Sequence, residues 1–513
     1  MNASPGFSEG AGGGGGAGRK KVAIVLPPYD PLGSAGGGKS RYGYLPPLGA
    51  GYLAGVLRRS GHEVVFVDAM SRRLSLEAAA AETASHGADV VGISCMSTWR
   101  VHVAYQLAAL LREKAPDAFL VMGGAHITSF GELALRQCTA LDAAVPGEAE
   151  FVFAELVDAL AAGRPPASVP GLILRTAEGG VLATEPAPLP RDLDAVPFPD
   201  RSIYDHRLYF PNSNLGLDTS RPATAMITSR GCTWNRCRFC FRGGFYDPKY
   251  RRRSPENVAE EAAQIVAETG VRQIKFLDDN FCINERWVDR FCGLLDERGL
   301  NIRWGVLGRV DTSTKSMLKR MAASGCKNIQ FGIESGNQRL LDLIGKGTTL
   351  DQIREAVSWA KAAGLSVMGT CILGVPTETP EETDATIRFA CELNIDYMFF
   401  FPYHPFHGTE LAEMAAAEGT VFPEECEDFH YPIFKPSAYA SREQLRQKAM
   451  EAYRRYYFRP AYWAMMARGA ARNPYLLKNH AASAMTFLSM MSVMKGRSPA
   501  VRRRADPAAE TGK

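Results

Sequence analysis

Between Val22 and Phe401 short runs rich in β-branched and aromatic residues alternate with helix-length segments. The alternation occurs in two successive blocks, and it restricts the fold more than any other feature. Strands that alternate with helices imply parallel sheets with helices packed on their faces. In the first block, strands are expected at Val22–Leu26, Glu63–Val67, Asp89–Ser94, Ala118–Gly123 and Leu141–Val145. Helices are expected at Leu48–Ser60, Leu76–His86, Val101–Ala115, Glu132–Cys138 and Ala149–Ala162. Such a doubly wound sheet binds ligands outside the carboxyl ends of its strands. Those ends carry small residues here: Ser94 to Thr98, Gly123-Gly124-Ala125-His126 and Pro146-Gly147-Glu148.

From Arg164 to about Arg221 prolines are frequent and periodicity fades, which reads as a linker with one hairpin. The second block has candidate strands at Ala225–Thr228, Gln273–Leu277, Arg303–Gly308, Asn328–Gly332, Ser366–Ile372 and Tyr397–Phe401. Helices between them include Pro255–Thr269, Glu285–Glu297 and Leu350–Ala363. Six strand–helix units suit an incomplete (β/α) barrel. The expected organisation is therefore α/β throughout: a disordered tail at 1–20, a doubly wound Rossmann-like domain at 21–165 and a linker at 166–220. A partial (β/α)6 barrel follows at 221–430, then a helical C-terminal extension at 431–513 with a disordered end.

A net charge of +4 gives no argument for a nucleic-acid partner. The first residues are rich in Gly, Ala and Ser and lack the basic start and apolar run of a signal peptide. No stretch of about eighteen apolar residues suggests a spanning helix, so the cytoplasm is the expected location. Eleven cysteines are present, and they do not resemble a secreted disulfide framework. Cys138, Cys282, Cys292, Cys326, Cys371, Cys391 and Cys426 read as small buried hydrophobes.

The other reading belongs to Cys232, Cys237 and Cys240, spaced C-x4-C-x2-C in Ser229-Arg-Gly-Cys-Thr-Trp-Asn-Arg-Cys-Arg-Phe-Cys240 directly after a strand. Soft thiolates select zinc or iron–sulfur clusters. A structural zinc ion would need a fourth ligand, and no further Cys or His lies nearby in sequence. Three ligands on a four-iron cluster leave one iron open for another molecule.

This segment resembles the cluster loop of the radical S-adenosylmethionine (SAM) superfamily, whose usual spacing is one residue shorter between the first two cysteines. The resemblance implies a [4Fe–4S] cluster whose open iron holds SAM, and reductive cleavage of SAM to methionine and a 5′-deoxyadenosyl radical. An electron donor such as flavodoxin or ferredoxin is then required. Phe239 matches the aromatic position near adenine, with ordinary packing as the alternative. Phe276-Leu-Asp-Asp-Asn280 places Asp278 and Asp279 where the family contacts SAM, although paired carboxylates at a strand end also serve as helix caps or a metal site. Phe331-Gly-Ile-Glu-Ser-Gly336 resembles the fourth-strand motif and implicates Glu334 and Ser335. Arg309 is the expected partner of the SAM carboxylate. Gly369-Thr-Cys-Ile-Leu-Gly374 resembles the fifth-strand segment, implicating Gly369, Ile372 and Gly374 unless those glycines reflect tight packing.

Leu45-Pro-Pro-Leu-Gly-Ala-Gly-Tyr-Leu, Val90-Val-Gly-Ile-Ser-Cys-Met-Ser-Thr, Gly123-Gly-Ala-His and Gly147-Glu-Ala-Glu, in that order, resemble the cobalamin-binding class of these proteins. That class includes C-methyltransferases and an anaerobic magnesium-protoporphyrin ester cyclase. The likeness implicates Ser94, Met96, Ser97, Thr98, Gly123, Gly124, His126, Gly147 and Glu148 in holding cobalamin. The D-x-H-x-x-G segment that supplies a histidine to cobalt elsewhere is absent, as in many members of the class. The class implies methylation of an unactivated carbon in a small molecule or lipid. The alternative is radical oxidation, cyclisation or rearrangement, and a non-enzymatic alternative is a zinc-containing ligand sensor. A second cysteine triad, expected of a methylthiotransferase, is missing.

After the sixth strand of the second block, Phe399-Phe-Phe-Pro-Tyr-His-Pro-Phe-His407 offers Tyr403, His404 and His407 as substrate contacts. From Ser441 to Lys513 fifteen Lys/Arg stand against four Asp/Glu, interleaved with Tyr, Trp and Met. Helices of this composition pack on their own domain or lie on a membrane surface; peripheral membrane contact is the second of these expectations.

Overall fold

The computed structural model describes residues 18–29, 44–96, 98, 100–212, 215, 217–241, 250–422, 431–472 and 479. The expected N-terminal tail up to residue 17, Ser97, Cys426 and the expected disordered C-terminal end lie outside them. Strands β1 (Lys21–Leu26), β2 (Glu63–Asp68), β3 (Val90–Ser94), β4 (Phe119–Gly123) and β5 (Ala143–Val145) form a parallel sheet in the order β2-β1-β3-β4-β5. Between them run α1 (Leu48–Arg59), α2 (Leu76–Ser85), α3 (Val101–Lys114) and α4 (Ala125–Gln137), with α5 (Glu150–Ala161) after β5. The central strand β1 is apolar on both faces because both are covered. Val22 and Ile24 pack with residues of α1 and α5, while Ala23 and Val25 pack with residues of α2, α3 and α4.

The hairpin expected in the linker belongs to this sheet instead. Its strands β6 (Ile173–Arg175) and β7 (Val181–Ala183) add antiparallel to β5 and make the sheet seven-stranded. With only three residues, β5 would otherwise present an open edge, and the hairpin covers it while burying Ile173 and Leu174. The N-terminal domain therefore reaches beyond residue 165.

The second sheet contains β8 (Thr224–Met226), β11 (Gln273–Phe276), β12 (Arg303–Gly308), β13 (Cys326–Glu334), β14 (Ser366–Leu373) and β15 (Tyr397–Pro402), parallel and in that spatial order. Short strands β9 (Ser229–Arg230) and β10 (Arg251–Arg252) pair antiparallel between β8 and β11. Helices α6 (Pro255–Thr269), α7 (Glu285–Glu297), α8 (Lys315–Ala323), α9 (Gln338–Leu343), α10 (Leu350–Ala362) and α11 (Pro380–Leu393) connect the strands. Local chemistry fixes where they start. Ser254 caps α6 ahead of Pro255, Asn284 caps α7, and capping boxes Thr349/Gln352 and Thr379/Glu382 open α10 and α11.

Helices α12 (Glu410–Glu418), α13 (Arg442–Tyr457) and α14 (Pro460–Arg472) complete the described chain. The aromatic content of the extension has a structural use at β15, the outer strand of the sheet. Tyr456 accepts from the Ile395 N–H (2.9 Å) and donates to its carbonyl (2.5 Å). Tyr457 does the same for Met398, Tyr453 accepts from Phe400 N–H, and Tyr462 donates to the Asp396 carbonyl. A row of phenols thus satisfies backbone groups that an exposed strand edge would leave open. Phe458 and Trp463 remain exposed. Among the described residues no helix is long and apolar enough to cross a membrane.

The turn after β14 carries a buried carboxyl. Glu378 accepts from the N–H groups of Gly374 and Val375, and burial pushes its pKa up to about 7. The sign follows from linkage: the folded state holds this proton where the unfolded state, near 4.5, has lost it. The contribution is therefore fully present below about pH 4.5 and is lost as pH rises through about 7. Glu378→Gln removes that titration. Between pH 5 and 8 its stability relative to the parent should improve by about 2–3 kcal/mol, measured by urea unfolding at each pH; a difference independent of pH would refute the assignment.

Candidate active site

The carboxyl ends of both sheets open into one cavity of about 1100 Å³. Its lining combines the cysteine loop, the ends of β11–β13 and the ends of β3–β5. Cys232, Cys237 and Cys240 all reach it. The loop between the first two of them makes a left-handed turn at Asn235 (φ 46°). Trp234 then enters a slot made by two glycines, with its Nε1 donating to the Gly345 carbonyl at 2.8 Å. A Cβ on Gly347 would stand 1.9 Å from the Trp234 ring.

Cys237 is the buried member of the trio. Its thiol is pulled down to about 6, first by a hydrogen bond from Cys240 and then by the cations of Lys346 and Arg309. Among the described residues no three His, Cys, Asp or Glu side chains close around a single ion. The donor chemistry fits a cluster: three soft sulfur ligands, with the Cys237 sulfur beside the positive charge of Lys346 and Arg309.

Glu334 ends β13 with a left-handed backbone (φ 62°), an uncommon state for a residue with a side chain, and the register with β14 shifts between Gly332 and Glu334. The irregularity aims its carboxylate into the cavity, where Lys346 Nζ meets it at 2.8 Å. A Cβ on Gly332 would lie 2.2 Å from that carboxylate. Asp279 and Arg309 share this wall, and Arg309 lies over the Trp234 ring at 5.0 Å. Carboxylates and a guanidinium beside three thiolates match the ammonium and carboxylate groups of SAM.

On the opposite side Ser94, Gly123, Gly124 and Gly147 line the cavity. The cleft continues between the sheet and α1, past Gly92, where a Cβ would crowd Phe153 at 3.1 Å. A Cβ on Gly124 would lie 2.6 Å from the Cys95 carbonyl. Gly92, Gly123, Gly124 and Gly147 thus make a glycine-walled cleft on this side of the cavity. No histidine is among the described lining residues.

Comparison with known proteins agrees on the two-domain fold and on the cofactors. The sequence profile of the radical SAM superfamily matches residues 226–390, and that of the B12 binding domain matches residues 36–157. An uncharacterized methyltransferase of Pyrococcus horikoshii is 36% identical over 86% of this chain and 93% of its own. The chain belongs to the cobalamin-binding radical SAM family. An anaerobic magnesium-protoporphyrin IX monomethyl ester cyclase of Rubrivivax gelatinosus is 30% identical, covering 86% of this chain and 78% of the cyclase. The radical S-adenosylmethionine methyltransferase TsrM of Kitasatospora setae, solved with tryptophan substrate and a SAM analogue, shares the fold with a TM-score of 0.63 at 20% identity over 83% of each chain. The protein is thus a radical SAM enzyme whose family cofactors are a [4Fe–4S] cluster, SAM and cobalamin, and the zinc-sensor alternative falls away.

Within this radical SAM enzyme the cavity gathers Cys232, Cys237, Cys240, Phe239, Asp279, Arg309 and Glu334 from the barrel side. From the cobalamin-domain side it gathers Ser94, Met96, Thr98, Gly123, Gly124, Gly147 and Glu148. Ser97 lies outside the described residues.

Several expected residues stand away from the cavity. Asp278 is buried behind it, accepting from the Thr228 N–H and hydroxyl and the Ser229 hydroxyl, so it holds the strand that leads into the cysteine loop. Ser335 bonds to Thr386 and the Asn337 N–H. Gly369 and Gly374 are packing glycines: a Cβ would strike Ile333 at 2.7 Å and Leu445 at 2.5 Å respectively. Ile372, on the same strand, is not part of the lining. His126 is buried, shares a hydrogen bond with the Tyr105 hydroxyl and stacks on Phe130 at 4.7 Å. Burial lowers its pKa to about 4, so it stays neutral.

Tyr403 packs against Phe434, His404 is buried, and His407 stacks on Phe130 of the N-terminal domain at 5.2 Å. None of the three lines the cavity; Phe406 from the same loop does. Sequence reading missed Lys346, Arg230, Arg251, Gln330 and Thr370, all in the lining. Lys346 was signalled by its flanking glycines, Gly345 and Gly347, and Arg230 by its place two residues before Cys232.

Proposed function

We propose that this enzyme C-methylates an unactivated carbon of a small molecule or lipid. The observation that carries the reading is the single cavity joining the cysteine loop to the carboxyl ends of the N-terminal sheet. Two cofactors opening into one chamber allow hydrogen abstraction and methyl delivery at the same carbon. When bound, SAM on the cluster supplies a deoxyadenosyl radical and cobalamin supplies the methyl group. Cys232, Cys237 and Cys240 would hold the cluster. Asp279, Arg309 and Glu334 would orient SAM, while Ser94, Gly123, Gly124 and Gly147 let cobalamin approach the backbone. Half-exposed Phe239 and exposed Met96, Leu277 and Phe406 give the chamber apolar surface that favours an apolar substrate. A one-electron donor such as flavodoxin or ferredoxin completes the cycle.

Oxidation or cyclisation without methyl transfer is the second reading, favoured by the similarity to the Rubrivivax gelatinosus cyclase. Anaerobic incubation of reconstituted enzyme with SAM, hydroxocobalamin, reductant and candidate apolar substrates separates the two, because any transferred methyl group must then come from a second SAM. Methyl transfer should yield 5′-deoxyadenosine and S-adenosylhomocysteine together; deoxyadenosine without S-adenosylhomocysteine would overturn it in favour of the second reading.

A further inference from the structure

The cysteine loop rises from a stalk formed by β9 and β10, in which Arg230 pairs with Arg251 across the two strands. Both arginines turn toward the N-terminal domain. The Glu148 carboxylate, between β5 and α5, is gripped by Arg230 on one oxygen and by Arg251 on the other. Glu150, the first residue of α5, binds Arg230 Nη2 at 2.6 Å. Arg251 also donates to the Pro190 carbonyl at 2.7 Å, and Arg230 lies over the Tyr52 ring of α1 at 5.5 Å. Side-chain exposures in this cluster are only 13% for Arg230, 9% for Arg251, 6% for Glu148 and 13% for Glu150. All four residues line the shared cavity.

This is two cations and two anions removed from water, with guanidinium and carboxylate groups paired across the two domains. Such a cluster is costly to leave half-made, so it has an intact and a separated state with little in between. Glu148 was expected to contact cobalamin, yet both its oxygens are committed to the stalk of the cysteine loop. We infer that the Glu148–Arg230–Arg251–Glu150 clamp makes cluster assembly and cobalamin binding mutually reinforcing, with the four side chains acting as positioning residues.

The physical route is short. Cluster ligation fixes the loop on top of the stalk; a fixed stalk presents both guanidinium groups to Glu148 and Glu150. Those carboxylates sit at the mouth of the glycine-walled cleft, so holding them sets the cleft width before cobalamin enters. Without the cluster the loop loses the tie among its three cysteines and keeps its contacts through Trp234; the stalk is then freer to lean, and the cleft must be ordered by cobalamin itself at a cost in affinity. By linkage the same factor applies in reverse. The consequence is that cobalamin enters preferentially those molecules that already carry their cluster.

Equilibrium dialysis of hydroxocobalamin tests this on the full chain, comparing anaerobically reconstituted protein with the same preparation stripped of iron by a chelator. The cluster-loaded parent should bind at least about 5-fold more tightly. In Glu150→Gln and in Arg251→Gln, at full iron and sulfide content, that ratio should fall toward one, and Glu150→Asp should restore part of it. A merely structural role would lower both affinities and leave their ratio unchanged. Equal affinities in the parent, no cobalamin binding in either form, or a parent-like ratio in both iron-replete variants would overturn the inference. Glu150→Gln, which loses only the contacts to Arg230, remains readable should Glu148→Gln fail to fold.

Discussion

Cys237→Ala is expected to bring SAM cleavage down to the uncatalysed background, with no cluster in anaerobically reconstituted protein. Cys237 is the most enclosed of the three ligands, 8% exposed, with Arg309 Nη1 4.0 Å from its sulfur. Loss of that thiolate leaves two ligands for four irons, while Arg309 and Lys346 keep their carboxylate partners Asp311 and Glu334. A two-ligand cluster does not survive in water, and alanine offers no replacement donor. Cys371→Ala is the matched control. Cys371 is fully buried in β14 with its sulfur 3.8 Å from that of Met398, so its loss should cost about 1 kcal/mol of packing and leave iron content and 5′-deoxyadenosine formation intact. Iron and sulfide analysis with product chromatography reads both variants. Parent-level SAM cleavage in Cys237→Ala would place the cluster elsewhere.

The contrast between these two cysteines also marks what could be read in the sequence. Repeating apolar runs alternating with helix-length segments made all six parallel barrel strands and helices such as α6 and α7 recognisable, because those signals are local. Cys232, Cys237 and Cys240 were legible for the same reason, being close in sequence and chemically distinct. What failed to register depended on distant partners. Gly369 and Gly374 stand in a motif that suggested cofactor contact, but the atoms that demand glycine are Ile333 and Leu445. Asp278 and Asp279, neighbours just past the end of β11, have opposite fates: Asp279 lines the cavity and Asp278 accepts from Thr228 and Ser229. The tyrosines of α13 were visible as a composition, whereas their hydrogen bonds to β15 could not be seen without knowing which strand lies outermost. His407 looked like a substrate contact from its place after β15, yet the chain bends so that Phe130 takes its ring and Phe406 takes the cavity position.

Lys346 was the most consequential residue overlooked, and its replacement carries the second large effect. Lys346 and Glu334 are each 7% exposed and meet at 2.8 Å. Burial opposes the lysine's charge, but Glu334 and Cys237 outweigh it and hold its pKa above the ordinary lysine value. Lys346→Met keeps the aliphatic length against Phe239 and removes the charge. A buried carboxylate then stands unpaired on a backbone already held in an uncommon conformation, a change that costs about 3–5 kcal/mol. Thermal and urea unfolding should register that loss, and Lys346→Met/Glu334→Gln should recover most of it, because the pair is then neutral on both sides. Function should not recover with stability. The double variant lacks the carboxylate placed to orient SAM and the cation beside Cys237. In the single variant Lys346→Met, which loses the cation and keeps the carboxylate, the reduced cluster is less stabilised, and its midpoint potential should move to more negative values in a spectroelectrochemical titration. If Lys346→Met unfolds like the parent, or the double variant is no more stable than the single, the buried pair is not what holds the end of β13 in place.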